Sequence, residues 1–108
     1  MTTLSPSDWP DGVLTRLHRE LWGVDFKAGV FDQVEGELER AIVKHTFDGT
    51  PMNKTKDIRD SYIILAEEVG EVARALTYDE GSKENLRDEL IQVAAMAVAM
   101  VIGLDGNV

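Results

Sequence analysis

Glu67, Glu68 and Glu71 fall within five positions of the stretch "LAEEVGEVARAL", residues 65–76. Like charges three or four apart on a helix repel, each pair costing about 0.2–0.5 kcal/mol. Such a knot persists where solvent and a cationic side chain relieve it, or where it holds something positive. A second set lies downstream. Asn85, Glu89, Gln92 and Met96 follow i, i+4, i+7, i+11, which is one helix face. Oxygen ligands from two facing helices are a known way to build a metal site inside a bundle. Hard oxygen ligands without His or Cys select Mg2+ or Mn2+ over zinc or copper.

Four helical segments and no convincing strand can position these groups. Pro10 to Trp22 carries Val13, Leu14, Leu17 and Leu21 as one apolar stripe, with Pro10 suited to a first turn. "GVDFKAG", 23–29, reads as a connector. Val30 to His45 repeats Val30, Val34, Leu38 and Ile42 every four residues, with Glu35, Glu37 and Glu39 elsewhere and Lys44 and His45 in the last turn. "FDGTPMNKTKD", 47–57, is a loop by its Gly, Pro and Asn content. Asp57 suits the N-cap of a third helix reaching Tyr78. Ser82 suits the cap of a fourth, which ends near Ile102 with Gly103 just beyond.

The fourth segment sets the architecture. From Leu90 to Leu104 its sole polar side chain is Gln92. At 15 residues it falls short of the ~20 a membrane span needs. A helix apolar on every side must be buried on every side, and four helices of this size hardly enclose it. The expectation is an all-α antiparallel helical bundle completed by oligomerisation.

Composition bounds the partners. A chain of 108 residues with 20 acids, 11 bases and a net charge of −9 is one domain, ill-suited to nucleic-acid polymers or anionic membranes. With no cysteine, disulfides, thiolate nucleophiles and Cys-ligated zinc are excluded, and a reducing cytoplasm fits. "MTTLSPSDWP" has no basic segment or apolar run and does not read as a signal peptide.

On a helix of about 100° per residue, Glu68 and Glu71 lie about 100° and 40° from Glu67, while Leu65, Val69, Val72, Ala73 and Leu76 fall between about 140° and 240°. The acids share one side and the apolar residues the other. Gly70, beside the acids, costs about 1 kcal/mol against alanine, which close approach by another helix or a ligand would justify. The plain alternative is a solvated acidic face that Arg74 partly neutralises. Gln92, likewise, has the alternative of a satisfied buried amide.

The pattern Glu-Glu-x-x-Glu, a spacer, then Glu-x-x-Asp on the next helix resembles the MazG-like all-α nucleoside triphosphate pyrophosphohydrolases. Here it reads "EEVGE" (67–71), 17 intervening residues, and "ELIQ" (89–92). The resemblance covers roughly residues 30–102. It implies a single all-α MazG-like domain over 1–108, with 1–24 as an N-terminal helical extension. The chain departs from the family at Gln92, where the family has Asp; an amide brings an oxygen but no charge.

The resemblance implies cleavage of a nucleoside triphosphate between the α and β phosphates, giving monophosphate and pyrophosphate with Mg2+ or Mn2+. Glu68, Glu71 and Glu89 match the family's metal ligands, with Gln92 in the fourth place. Glu67 matches the extra acid, as a further ligand or as general base for the attacking water. Lys54, Lys56 and Arg59, with Arg87, are candidates for substrate phosphate, against the plainer reading of solvated surface. Phe31, Phe47 and Tyr62 suit a core role better than stacking on a base. His18 and His45 stand alone and read as ordinary surface or helix-end residues. The expected state is a cytoplasmic homodimer or homotetramer. Two functions follow: an Mg2+-dependent house-cleaning or pool-controlling pyrophosphohydrolase, favoured by the four glutamates, or a catalytically weak or inactive helical module binding a nucleotide or protein partner, favoured by Gln92.

Overall fold

The second apolar repeat forms a helix with the bounds its sequence sets. In the computed structural model, which describes residues 10–24, 27–77 and 83–106, that helix runs Val30–His45. In chain order the elements are α1 (Val13–Trp22), β1 (Gly23–Val24), β2 (Lys27–Ala28), α2 (Val30–His45), α3 (Ile58–Thr77) and α4 (Lys83–Asp105). Among the described residues the fold is all-α apart from the two-residue ladder β1–β2. The chain divides into two compact units, 1–33 and 34–108.

In the first unit α1 starts at Val13, not Pro10. Gly12, with φ 80°, is its N-cap and supplies no side-chain hydrogen bond. The Val13 N–H instead donates to the Pro10 carbonyl at 3.2 Å, a turn ahead of the helix. The expected connector is a hairpin pairing Gly23 with Ala28 and Val24 with Lys27. Trp22 meets Phe31 edge-on, 4.9 Å between centroids. Gly29 opens α2: its N–H donates to Asp32 Oδ2 at 3.2 Å, and a Cβ there would run into the Leu21 carbonyl.

In the second unit Thr46 ends α2 by adopting φ 63°, the left-handed conformation that stops helices. The segment 46–57 is knitted by short-range bonds. Thr50 is 1% exposed; its hydroxyl donates to the Phe47 carbonyl at 2.8 Å and accepts from the Met52 N–H at 3.3 Å. Asp57 caps α3 as expected, its Oδ1 accepting the Arg59 N–H at 2.9 Å. Ser82, the expected cap of α4, lies outside the described residues.

Helices α3 and α4 pack side by side. Residues 78–82 separate them and reach at most about 20 Å, less than the ~30 Å length of α3. The two helices therefore run antiparallel. Helix α4 continues to Asp105, so Gly103 is not its cap. It is a buried packing glycine whose missing Cβ leaves room for the Pro51 carbonyl. Ala95, Ala99 and Gly103 form one buried face at i, i+4, i+8, and Val34 and Met52 are the other buried apolar side chains among the described residues. Leu90, Val98, Val101, Ile102 and Leu104 of α4 stay exposed. Phe31, Phe47 and Tyr62, expected in the core, are also exposed. Among the described residues no helix is long and apolar enough to cross a membrane.

Candidate functional site

Between α2, the 46–57 segment, α3 and α4 lies a cavity of about 400 Å³. Its floor is apolar, with Met52, Ala95 and Ala99 beneath it. One part of its wall is acidic, from Glu37 of α2 and Glu68 of α3, with Gln92 of α4 nearby. Another part is basic, from Arg40, Lys44 and His45 of α2. Arg40 is paired with Glu37, three residues before it on the same helix. Both signs therefore meet on one face of α2.

Glu68 is the electrostatic centre. It is half-buried. Burial first, then the carboxylates of Glu89, Glu71, Glu67 and Glu37, pushes its carboxyl above the ordinary glutamate range. Removing water from a charge and surrounding it with like charges both favour the protonated form. The antiparallel pairing of α3 and α4 brings Glu89 up to Glu68, and α2 adds Glu37 from the other side. At the start of α3 the sign reverses: Arg59 donates to Asp57 and holds that carboxyl below the ordinary aspartate range.

Of the residues placed on the two acidic faces from sequence, Glu68, Gln92 and Met96 line the cavity. Glu67, Glu71 and Glu89 lie outside its lining but close enough to act on Glu68. Lys54, Lys56, Arg59 and Arg87 are exposed and outside it, and Arg59 is committed to Asp57 at 3.3 Å. Among the described residues Gly70 meets no side chain or neighbouring backbone within 4 Å of where its Cβ would be, so none of them explains it by close approach. Sequence reasoning missed Glu37, Arg40, Lys44 and His45 as cavity residues. The available signal is the spacing of Glu37, Arg40 and Lys44, i, i+3, i+7, which is one stripe of mixed charge on α2.

Among the described residues no group of three or more Asp, Glu or His side chains converges closely enough to hold a metal ion. The donor chemistry still suits a hard divalent cation: carboxylates in mutual repulsion and one amide, all oxygen donors. A cation there would favour the ionised Glu68 carboxyl against the burial and the carboxylate repulsion that raise it. Comparison with protein-family models, curated proteins and solved structures finds no match.

Proposed function

We propose that the protein is an Mg2+-dependent nucleotide pyrophosphohydrolase of the MazG-like kind, converting a nucleoside triphosphate to monophosphate and pyrophosphate. The observation that carries this reading is Glu68, on the wall of a cavity and crowded by carboxylates from three helices. Repulsion of this kind is a cost to folding unless a ligand offsets it, and functional sites are where such costs concentrate. Glu68, Glu71 and Glu89 would hold Mg2+, or Mn2+ in its place, with Gln92 adding an amide oxygen. The bound cation would neutralise the phosphate chain and the charge that grows on leaving pyrophosphate. Glu67, exposed beside this set, would orient the attacking water and take its proton.

The same reading has the enzyme working as a homodimer or homotetramer, since Val98, Val101 and Ile102 of α4 remain exposed. It places the protein in a reducing cytoplasm, in keeping with its lack of cysteine. A pyrophosphate-release screen over canonical and modified nucleotides, with Mg2+ and Mn2+, tests it. Turnover of at least one triphosphate is expected, lost with chelator and in Glu68→Ala and Glu71→Ala. Turnover indifferent to all three sinks the site. A second reading, a non-catalytic module of the same kind that binds a nucleotide or a protein partner, is favoured by the uncharged Gln92. Metal-dependent nucleotide binding without pyrophosphate release in the same screen would select it.

A further inference from the structure

The basic wall of the cavity is not accounted for by helix chemistry alone. Cations in the last turn of α2 complement its dipole, which explains Lys44 and His45 as a pair. It does not explain why both line one cavity with Glu68 and with Arg40, which pairs with Glu37 on the turn before. Among the described residues no carboxylate pairs with Lys44 or His45, while Arg40 is engaged by Glu37. The neighbouring polar group, the Thr50 hydroxyl, is committed to Phe47 and Met52. The donors of this wall outside any ion pair are therefore the Lys44 ammonium and the His45 imidazole. In a chain of net charge −9 the general field repels anions, so an anionic ligand needs such a local patch to settle. From Glu37, Arg40 lies about 4.5 Å and Lys44 about 10.5 Å further along the helix axis. A ligand spanning the cavity thus meets carboxylates at one end and ammonium and imidazole groups at the other.

We infer that Arg40, Lys44 and His45 hold the terminal phosphates of a nucleoside triphosphate, so that the cavity discriminates by phosphate-chain length; this rests on the reading of the cavity as a nucleotide site. The phosphate nearest Glu68 reaches the acidic wall only with a cation between them. The distal phosphates, which share that cation's charge, are met in addition by Lys44 and by Arg40, for which phosphate competes with Glu37. A monophosphate leaves Lys44 without a partner. The sequence-based candidates Lys54, Lys56 and Arg59 sit outside this geometry.

Calorimetric titration with inorganic pyrophosphate and with inorganic phosphate tests this on the full chain, with Mg2+ and with chelator. Pyrophosphate is expected to bind more tightly than phosphate. Lys44→Ala should weaken pyrophosphate binding by at least about tenfold, the loss of one charge-assisted hydrogen bond. Lys44→Arg should restore most of it, and circular dichroism should show both variants folded, since Lys44 is exposed. Lys54→Ala is the rival arm. Loss in Lys54→Ala but not Lys44→Ala, or no pyrophosphate binding to the wild-type protein, overturns the inference. The two proposals fail separately. Pyrophosphate binding that depends on Lys44 in a protein that hydrolyses nothing removes the enzyme reading and keeps this one. Hydrolysis with KM for a triphosphate unchanged in Lys44→Ala does the reverse.

Discussion

Replacing Glu68 by Gln should make the metal-free protein more stable at neutral pH. The folded state raises this carboxyl above its ordinary value of 4.5, so it binds the proton more tightly than the unfolded chain does. Stability therefore falls as pH rises through the window between 4.5 and the raised value, and the loss persists at neutral pH. Glutamine cannot ionise and keeps the shape. Among the described residues Glu68 makes no hydrogen bond that glutamine would break. The relief comes first from no longer burying a charge, then from the neighbouring carboxylates of Glu89, Glu71, Glu67 and Glu37. Like-charged neighbours of this kind cost about 0.2–0.5 kcal/mol each, and solvent around a half-buried group keeps them in that range. Together they amount to about 1 kcal/mol, or about 4–8 °C in Tm for a unit of this size. Melting curves in chelator from mildly acidic to neutral pH should show the variant above wild type at neutral pH and converging with it in acid. With Mg2+ the order should close or invert, because wild type gains a ligand that the variant binds poorly. A variant that melts at or below wild type in chelator at neutral pH would refute the crowding argument. An undiminished Mg2+ response would remove Glu68 from the metal site.

The other predictions concern Gln92, two glycines and the outer face of α4. Gln92→Asp should lower the metal-free Tm by adding a like charge and enlarge the Mg2+-induced rise; equal destabilisation with and without Mg2+ would make Gln92 an ordinary amide. Gly103→Ala should destabilise by roughly 1–2 kcal/mol, because the clash with the Pro51 carbonyl outweighs the gain in helix propensity. Gly70→Ala, where a Cβ meets nothing within 4 Å among the described residues, should stabilise by about 0.5–1 kcal/mol; a loss instead, read by denaturant titration, would reveal a neighbour beyond them. Val101→Asp should shift light-scattering mass toward the monomer while circular dichroism stays helical, and an unchanged mass would rule this face out of the assembly.

The long, strongly periodic segments were the legible part of the fold. The fourfold repeat of Val30, Val34, Leu38 and Ile42, bounded by Gly29 and Thr46, gave α2 to the residue. Asp57 announced α3 because a side-chain cap is a local matter between neighbours. Gly103 was not legible: a glycine near the end of an apolar run looks the same whether it caps the helix or admits another backbone, and only the position of Pro51 decides. The acidic half of the site could be read because its members sit at helical spacing on two consecutive segments. Glu37 and the cations after it could not, since they join Glu68 only through the way α2 is set beside α3. The small-residue face of α4 was hidden too, as Ala95 and Ala99 look no more inward than Val98 until their size is compared with the space available.

The contact of Gly103 with Pro51 has a consequence for how the protein opens. The 46–57 segment has no regular structure, and unsupported it would exchange its amide hydrogens and admit proteases as a surface loop does. Its amides instead bond in sequence, Thr50 to Phe47, Asn53 to Thr50 and Lys56 to Asn53. It rests on the end of α4, where a Cβ at Gly103 would press on the Pro51 carbonyl and one at Gly106, just past the helix, on the Lys54 side chain. Exposing those amides means lifting the segment from the helix end, so the two behave as one cooperative unit. Deuterium uptake at Thr50 and Asn53 should then track that at the C-terminal turns of α4 rather than that of an exposed loop. One wall of the cavity is thus only as rigid as the end of the helix behind it.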